Sequence, residues 1–467
     1  MSAENGRPKN GFKRSGNPYT RVVSSVIFPL HERIKGHSTV RIHQFMERSQ
    51  WWSPEELRGL QTARLRTFLS SVQQRVPFYR RLFADIRFQP SCLTSLQELA
   101  SLPFLSKDII RAHTDDLKAE GARGLTRSNT GGSTGEPLIF FVSKQRTSHD
   151  VAAKWRATRW WQLDIGDPEV VVWGSPVELQ AQDWLRFLRD RLLRTHLLPA
   201  FEMSPRRLDE FVDTITRLRP RMMFGYPSAL ALIAQHAERR GISMADLGIQ
   251  VVFVTAERLF DHQRKLIEST FQCRVANGYG GRDAGFIAHE CPDGGMHITA
   301  EDVIVEVVNP EGQVLPPGKA GEIVVTHLAT EEFPFIRYRT ADVAILDENL
   351  CPCGRGLPLL KEIQGRATDF IVATDGTVMH GLALIYVVRD VEGVQNFQIM
   401  QEERDHIRVQ LVTGSDFDER SIESMRAGIR KRLGSGVDVS FERVRHISPS
   451  PSGKYRYVMS KVAPPVG

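Results

Sequence analysis

Apolar residues recur at helical spacing early in the chain. Ser53 is followed by a proline and two glutamates, an order typical of a helix start because Ser caps free N–H groups and Pro fits the first turn. The apolar positions that follow fall on one helical face. They are Leu57, Leu60, Leu65, Phe68, Leu69 and Val72.

Beyond residue 137, short apolar runs alternate with helical patterns. The runs predict strands at 138–142, 170–174, 222–226, 251–257 and 273–276. The helical patterns predict helices at 151–163, 229–239 and 261–271. Such alternation indicates an α/β fold, whose ligands bind outside the carboxyl ends of the strands. A glycine-rich stretch at 277–283 is predicted to be a turn.

Changes in the pattern divide the chain into domains. We predict a basic N-terminal extension at 1–52, a large domain at 53–365, a hinge at 366–369 and a small α+β lid domain at 370–467. Short strands and turns from about residue 298 to 365 predict a β-rich subdomain within the large domain.

The first fifty residues carry much of the basic excess, and residues 1–20 are expected to be mobile. The apolar stretch 22–30 leaves two interpretations open. It either touches a membrane surface or packs on its own domain, and we favour packing because Pro29 should break a helix there. The chain has no apolar run long enough for a membrane span and no signal-peptide pattern, so we predict a cytoplasmic enzyme.

Composition excludes several classes of protein. With 41% hydrophobic and 25% charged residues, the chain is not disordered, and an odd count of five cysteines argues against an oxidised disulfide framework. A net charge of +6 is dilute and fits an anionic small molecule as well as weak attraction to nucleic acid or membrane. Because no stripe of aromatic and basic residues appears, we predict no nucleic-acid partner.

One loop, 128–137, concentrates three glycines and four hydroxyl side chains in ten residues. Glycines let backbone N–H groups turn toward an anion, and hydroxyls add uncharged donors. The loop is therefore either a phosphate-binding loop or a flexible surface turn. It is not the P-loop of nucleoside triphosphatases, since it lacks the Lys that precedes Ser or Thr there.

Further segments follow in a fixed order. They are Ser-Pro-Glu-Glu-Leu at 53–57, Val-Pro-Phe-Tyr-Arg-Arg at 76–81, Leu-Pro-Phe-Leu-Ser-Lys-Asp at 102–108, Tyr-Gly-Gly-Arg-Asp at 279–283 and Tyr-Arg-Thr-Ala-Asp at 338–342. With the glycine-rich loop they resemble the adenylate-forming superfamily of acyl-CoA synthetases, peptide-synthetase adenylation domains and luciferases. The phenylacetate–CoA ligase branch, which includes members associated with capsular polysaccharide synthesis, is the most similar. The likeness runs from about Ser53 to Lys461.

The resemblance implies an ATP site. Its phosphate loop would hold the β- and γ-phosphates through Ser128, Thr130, Gly131, Gly132, Ser133, Thr134 and Gly135. The family usually has Lys before the final Pro of this loop, where this chain has Glu136. The segment along the adenine would be Thr255, Ala256 and Glu257.

The resemblance assigns the 279–283 segment to the nucleotide and its metal. Tyr279 would stack on adenine beside Gly280, and Asp283 would hold Mg²⁺ in place of the usual Glu. Arg282 replaces a hydroxyl residue that meets the α-phosphate. Its guanidinium either clamps the α-phosphate or the substrate carboxylate, or points away.

Three more roles follow from the resemblance. Asp342 would accept hydrogen bonds from both ribose hydroxyls, in a motif that has Ala341 where the family has Gly. Arg366 would contact the nucleotide near the hinge, where Thr368 stands in place of a carboxylate. Lys454 would be the adenylation lysine of the C-terminal loop.

Three residues are candidates for lining the acyl pocket. Tyr226 and Gly278 follow or end predicted strands, and Trp161 belongs to a tryptophan cluster that either walls a pocket or lies in the core.

Cysteine and histidine form two short clusters. Cys291 with His297, and Cys351 with Cys353, supply the ligand set of a closed tetrahedral zinc site. Because the spacing is not that of a zinc finger, buried thiols are the alternative, and His289 is a spare candidate ligand. Relatives in the phenylacetate–CoA ligase branch bind zinc at such clusters, which favours a structural zinc ion.

The predicted function is ATP-dependent activation of a small carboxylic acid to an acyl-adenylate, with transfer to CoA or a carrier-protein thiol. A catalytically relaxed protein that binds or assembles components for polysaccharide or lipid synthesis is the alternative, supported by the departures at Glu136, Arg282, Ala341 and Thr368. Peripheral membrane contact and a homodimer are left open.

Overall fold

The computed structural model describes residues 12, 16–129, 138–173, 184–200, 203–257, 259–309, 311–364, 370–445, 447 and 458–462. The helices are α1 Pro18–Val22, a π turn Val23–Ile27, α2 Phe28–Ile34, α3 Thr39–Ser49, α4 Pro54–Arg75, α5 Pro77–Asp85, α6 Lys107–Ala112, α7 Lys144–Trp160, α8 Trp184–Leu193, α9 Pro205–Leu218, α10 Pro227–Arg239, α11 Asp261–Phe271, α12 Leu382–Arg389 and α13 Ser421–Leu433. Short 3₁₀ turns lie at Pro90–Cys92, Leu96–Ser101 and Ala245–Leu247.

The strands are β1 Thr126–Asn129, β2 Ile139–Val142, β3 Glu169–Trp173, β4 Thr195–Pro199, β5 Met222–Gly225, β6 Val251–Val254, β7 Arg274–Gly281, β8 Gly285–Glu290, β9 Met296–Ile298, β10 Val303–Val308, β11 Ala320–His327, β12 Tyr338–Leu346, β13 Leu359–Gln364, β14 Phe370–Val372, β15 Val378–His380, β16 Val394–Glu403, β17 His406–Thr413, β18 Asp438–Arg443 and β19 Val458–Ser460.

A capping box starts α4 as the sequence predicts. The Ser53 side chain accepts a hydrogen bond from the Glu56 N–H at 3.2 Å, and the Glu56 carboxylate accepts one from the Ser53 N–H at 2.7 Å. The apolar face of α4 is buried in the core that also holds Tyr338. The cap and this burial together fix the helix against the large sheet.

One large sheet organises the chain up to residue 364, in the strand order β10-β11-β12-β13-β9-β8-β7-β6-β5-β3-β4. Strands β3 to β7 pair in parallel through helical crossovers, whereas β7 to β13 pair antiparallel. The strands after residue 298 therefore continue the same sheet and do not form a separate one.

The prediction that residues 277–283 form a turn is wrong for most of the segment. Strand β7 runs on to Gly281, because β8 folds back on it and pairs Gly278 with His289 and Gly281 with Gly285. Only residues 282–284 turn, so Arg282 and Asp283 lie at the tip of a β-hairpin.

Residues 22–30 of the predicted N-terminal extension pack on the domain, which is the interpretation that we favoured, through Val23 against Gly166 and Phe28 against Trp155. From Pro18 onward this segment is helical, and Ile42 and Met46 of α3 pack on Ala152 and Ala153 of α7. Pro29 does not break the helix as expected, because a π turn precedes it. The wider turn makes Pro29 one of the first residues of a new α segment, where a missing N–H costs little.

The C-terminal residues from Ile371 have their own core. Its sheet has the order β18-β17-β16-β19, covered by α12 and α13, and β14 pairs with β15. The predicted class, a large mixed α/β domain with a small α+β domain, is confirmed. Among the described helices, none combines the length and apolar character that crossing a bilayer requires.

Candidate active site and metal centre

Two reciprocal tyrosine–aspartate pairs join the 279–283 and 338–342 segments. The Tyr279 hydroxyl donates to Asp342 Oδ2 at 3.0 Å, and the Tyr338 hydroxyl donates to Asp283 Oδ2 at 2.6 Å. Each segment thus supplies a donor to the carboxylate of the other. The side chains expected to hold ribose and magnesium are brought together where β7, β8 and β12 meet.

Burial favours the two tyrosines as hydrogen-bond donors. Tyr338 is fully buried, and burial together with the Asp342 charge raises the pKa of Tyr279 well above its usual value. The Tyr279 phenol therefore stays protonated at neutral pH. Asp283 also accepts the N–H of Ala284 at 3.0 Å, which fixes its second oxygen.

A buried charged network, which the sequence analysis missed, supports the hairpin tip. Arg146 of α7 is 1% exposed, donates to the Arg282 carbonyl at 3.1 Å and lies 3.4 Å from Asp150. Asp150 in turn faces His327 at 3.8 Å. The Arg282 side chain is exposed, so the network holds its backbone and leaves the guanidinium on the surface of the site.

The same helix carries a second buried pair. His149 Nδ1 lies 2.6 Å from Asp302 Oδ1. Although burial acts to raise it, the His149 charge and hydrogen bond hold the pKa of Asp302 well below its usual value. The spacing of Arg146, His149 and Asp150 at i, i+3 and i+4 is the signal that could have revealed this inward face.

The stem of the predicted phosphate loop is a β-hairpin. Ser128 and Asn129 end β1 and pair with Phe140 and Ile139 of β2, whereas 130–137 lie outside the described residues. Phe140 packs edge-on against Phe335, whose ring in turn contacts Tyr338. The hairpin stem is therefore anchored beside the reciprocal pairs.

The predicted adenine segment follows β6 at the carboxyl edge of the parallel strands. Thr255 donates its N–H to the Gly225 carbonyl at 3.1 Å, and Ala256 has a left-handed φ of 72°. Glu257 is half-buried at the end of the segment.

Two of the three predicted pocket residues lie at this edge. Tyr226 follows β5 and stacks on Trp173 at 4.3 Å, and Gly278 of β7 is buried against the His289 ring. Trp161 lies elsewhere: its indole N–H donates to the Glu290 carbonyl in the core beside the cysteines. Trp173 is thus an aromatic candidate that the sequence analysis did not single out.

Two predicted residues, Arg366 and Lys454, lie outside the described residues together with the 366–369 hinge.

The four residues of the Cys–His cluster lie together in the structure. The side-chain ligand atoms of Cys291, His297, Cys351 and Cys353 all lie within 4.8 Å of one another, and all four residues are buried. Cys291 Sγ is 3.6 Å from Cys351 Sγ, and Cys353 Sγ is 3.3 Å from His297 Nε2. Strand β9 connects the two halves by pairing with both β8 and β13.

The residues around the cluster fit a metal ion. A Cβ at Gly295 would stand 2.5 Å from Cys351 Sγ, so only glycine leaves room for this approach. The hydrogen bond from Cys291 lowers the pKa of the Cys353 thiol, and the Arg355 N–H also donates to that sulfur at 3.5 Å. The thiolate is the form of cysteine that binds a metal ion. His289 stacks on Phe286 instead and is not part of the cluster.

The chain is similar in sequence to two protein families and to several characterised proteins. The sequence model of the AMP-binding enzyme family matches residues 129–330, and that of the CapK C-terminal domain matches residues 371–461. Protein CapK of Staphylococcus aureus is 24% identical and covers 90% of this chain and 93% of its own. The phenylacetate-coenzyme A ligase of Thermus thermophilus is 27% identical, and the match covers 74% of this chain and 78% of the ligase. The phenylacetate-coenzyme A ligase of Pseudomonas putida is 28% identical, and the match covers 68% of this chain and 73% of the ligase.

Solved structures share the fold. A 2-hydroxyisobutyryl-CoA ligase in complex with 2-HIB-AMP and CoA, in the thioesterification state, superposes with a TM-score of 0.63 at 21% identity. The match covers 87% of this chain and 90% of the ligase. The same ligase in an open conformation gives a TM-score of 0.56 at 20% identity, and the match covers 85% of this chain and 90% of the ligase.

Proposed function

We propose, from the premise that the chain belongs to the adenylate-forming acid–CoA ligases, that it activates a small carboxylic acid with ATP and transfers the acyl group to a thiol, that of CoA. The carboxylate oxygen attacks the α-phosphorus of ATP and pyrophosphate leaves. The CoA sulfur then attacks the acyl carbon and AMP leaves. The observation that carries the proposal is the pair of reciprocal tyrosine–aspartate contacts, which bring two sequence-distant nucleotide motifs into one site.

In this proposal the two carboxylates divide the nucleotide between them. Asp342 accepts the ribose hydroxyls while Tyr279, beside it, stacks on adenine. Asp283 would hold Mg²⁺, which supplies positive charge near the phosphates when bound; one carboxylate plus substrate phosphates is a usual magnesium environment. Because two anions must approach each other, these groups act by position and charge.

Positive charge from this chain would complete the site. Arg282, exposed at the hairpin tip, is suited to reach the α-phosphate or the substrate carboxylate. Lys454 would supply the second cation, carried by the C-terminal domain across the 366–369 hinge. Rotation of that domain between the two half-reactions is the expected gating motion.

The acyl pocket is proposed at the carboxyl ends of β3 and β5. The stacked rings of Trp173 and Tyr226 and the small residue Gly278 support an aromatic or other planar acid as substrate. Trp161 is left out of this proposal because it is buried beside the cysteine cluster.

We also propose that the Cys–His cluster holds a structural Zn²⁺. Three cysteines and one histidine leave no open position for substrate, so the ion would act on stability. The cluster lies between β8, which leads from the Asp283 hairpin, and the loop from β12 to β13, where β12 carries Asp342. Its loop is also tied to the N-terminal helices, since Arg355 donates to the Gln50 side chain at 3.0 Å.

The test is acid-dependent exchange of pyrophosphate into ATP, over a panel of aromatic, fatty and hydroxy acids. Lys454→Ala should lower the exchange rate by at least about 100-fold, as expected for loss of a charge that acts in the transition state. Lys461→Ala is the matched control, a described C-terminal lysine that is exposed. Exchange at the wild-type rate in Lys454→Ala would show that the lysine assignment is wrong.

The proposal also includes the acyl acceptor and the cellular location. Thioester formation with CoA, compared with a carrier-protein thiol, tests the acceptor. A reaction that consumes ATP and CoA fits the cytoplasm, which supplies both. No exchange with any acid would favour the relaxed, non-catalytic alternative, for which a role in polysaccharide synthesis has the similarity to CapK as its support.

A further inference from the structure

The helix formed by α1, the π turn and α2, which we call the N-terminal helix (18–34), exposes an apolar stripe. Val22, Val26, Leu30 and Ile34 follow each other at intervals of four residues and are 51%, 58%, 55% and 77% exposed. On an α-helix such a row drifts by about 40° per step. The wider π turn offsets part of that drift and keeps the four side chains on one face.

The opposite face anchors the helix to the domain. Val23 packs against Gly166 so closely that a Cβ there would stand 2.6 Å away, and Gly166 has a φ of 96°. The ring of Phe28 meets Trp155 edge-on at 5.2 Å, and the Thr20 hydroxyl lies 3.1 Å from Asp167 Oδ1. These contacts fix the rotation of the helix about its axis, and the apolar stripe on the opposite face is therefore exposed to solvent.

A neighbouring helix widens the patch. The Tyr19 hydroxyl donates to the Leu192 carbonyl at 2.8 Å, which places the end of α8 beside the start of the N-terminal helix. Leu188 and Leu192 of α8 are also exposed. Together with Tyr19 these two helices hold seven of the twelve exposed large hydrophobic residues in the described part of the chain. Such concentration in one patch marks an interaction surface.

Basic side chains border the patch. Arg21 and Arg33 on the N-terminal helix, Lys35 directly after it and Arg191 on α8 are exposed. The Arg194 guanidinium lies over the Tyr19 ring at 4.4 Å. Of the described acids on these two helices, Glu32 is buried against His37 and Asp190 is paired with Arg189 at 2.5 Å, so the exposed charged residues on the two helices are mainly basic.

We propose that this patch docks the protein on an anionic phospholipid bilayer. An apolar stripe flanked by arginine and lysine is the arrangement with which a helix lies in the plane of a membrane surface. The charge complementarity favours an anionic lipid surface over a second copy of this chain, whose identical patch would bring like charges together. Docking would deliver a membrane-associated acid or acceptor to the enzyme.

The experiment is flotation with lipid vesicles. The wild-type protein should bind vesicles with about 30% phosphatidylglycerol, bind phosphatidylcholine vesicles weakly, and lose most binding between about 0.05 M and 0.5 M salt. Val26→Glu with Leu30→Glu should weaken binding by more than about tenfold, since two inserted side chains become anionic. Val26→Ser with Leu30→Ser, a milder change, should weaken it in the same direction.

The matched control places the same two substitutions elsewhere. Val314→Glu with Leu218→Glu changes one exposed valine and one exposed leucine outside the patch and should bind like wild type. Thermal unfolding checks that each variant is folded. Unchanged vesicle binding in both patch variants would overturn the proposal. A wild-type protein that ignores anionic vesicles but forms a dimer abolished by the patch variants would overturn it too, in favour of a second copy.

Discussion

Tyr338→Phe isolates one hydrogen bond of the candidate site. Its hydroxyl donates to the Asp283 carboxylate at 2.6 Å from a fully buried ring, so the substitution removes the donor and leaves the packing. A hydrogen bond to a charged group contributes about 1.5–3 kcal/mol. If that energy holds Asp283 in its working position, kcat/KM for pyrophosphate exchange should fall by about 10- to 150-fold.

The matched control is Tyr79→Phe. Tyr79 is a buried tyrosine of the same core, on α5, and lies in none of the nucleotide segments. Removing its hydroxyl should leave exchange within about twofold of wild type, a difference of at most about 0.4 kcal/mol. Thermal unfolding of both variants separates a lost site contact from a destabilised fold.

A double-mutant cycle with Asp283→Asn tests whether the two groups act together. If Tyr338 works through Asp283, Tyr338→Phe should cost little in the Asp283→Asn background. Wild-type exchange in the single variant, or fully additive losses in the double variant, would refute the reasoning.

Three further predictions concern the supports of the site. Cys353→Ala should abolish binding of one zinc ion per chain, measured by elemental analysis, and lower both Tm and exchange, whereas Cys92→Ala, at an exposed cysteine, should change none of these. Ala341→Gly should stabilise the protein by about 0–1 kcal/mol in urea unfolding, because Ala341 has a φ of 61°; a loss above about 1 kcal/mol would contradict this. Asp302→Asn should lower the free energy of unfolding by about 3 kcal/mol at neutral pH, since it leaves the buried His149 without its carboxylate. Because the pKa of Asp302 is lower in the folded than in the unfolded chain, its stabilisation is full above about pH 4 and is lost in acid, so the variant should show a shallower loss of stability below pH 4.

The candidate nucleotide residues could be proposed from the sequence because short segments carry them. Tyr279 to Asp283 and Tyr338 to Asp342 each combine the chemistry and the order that the resemblance requires. What joins them could not be predicted: the exchange of donors between two segments depends on the register of β7, β8 and β12. The spacing of Arg146, His149 and Asp150 was a weak signal, because charged residues at helical spacing usually indicate a solvated face and only the structure shows that these point inward.

The incorrect predictions have physical causes. The glycines of 277–281 suggested a turn, but β8 supplies pairing partners that overrule the local preference. At Pro29 no residue pattern indicated the π turn, which changes the register before the proline. The tryptophan cluster was ambiguous in advance because a buried ring and a pocket ring have the same composition; only the contact of Trp161 with Glu290 separates them.

Backbone strain bears on whether the site has relaxed from catalysis. Among the described residues, eight that are not glycine have left-handed φ angles. Five of them follow helix ends, where this conformation is ordinary: Arg87, Gln162, Arg194, Arg219 and Gln272. The other three are Ala256, Arg337 and Ala341, and all lie in or beside the predicted nucleotide segments.

Such strain persists only where the surroundings impose it. Arg337 is held by a buried bidentate pair with Glu306, both N–O distances being 3.0 Å, and the Ala341 N–H donates to Glu322 at 3.1 Å. Glycine, which the family usually has at 341, would adopt the φ of 61° without strain, so this chain keeps a left-handed backbone there at a cost in stability. That the supporting contacts still hold Asp342 beside Tyr279 therefore argues for a working nucleotide site despite the departures at Glu136, Arg282, Ala341 and Thr368.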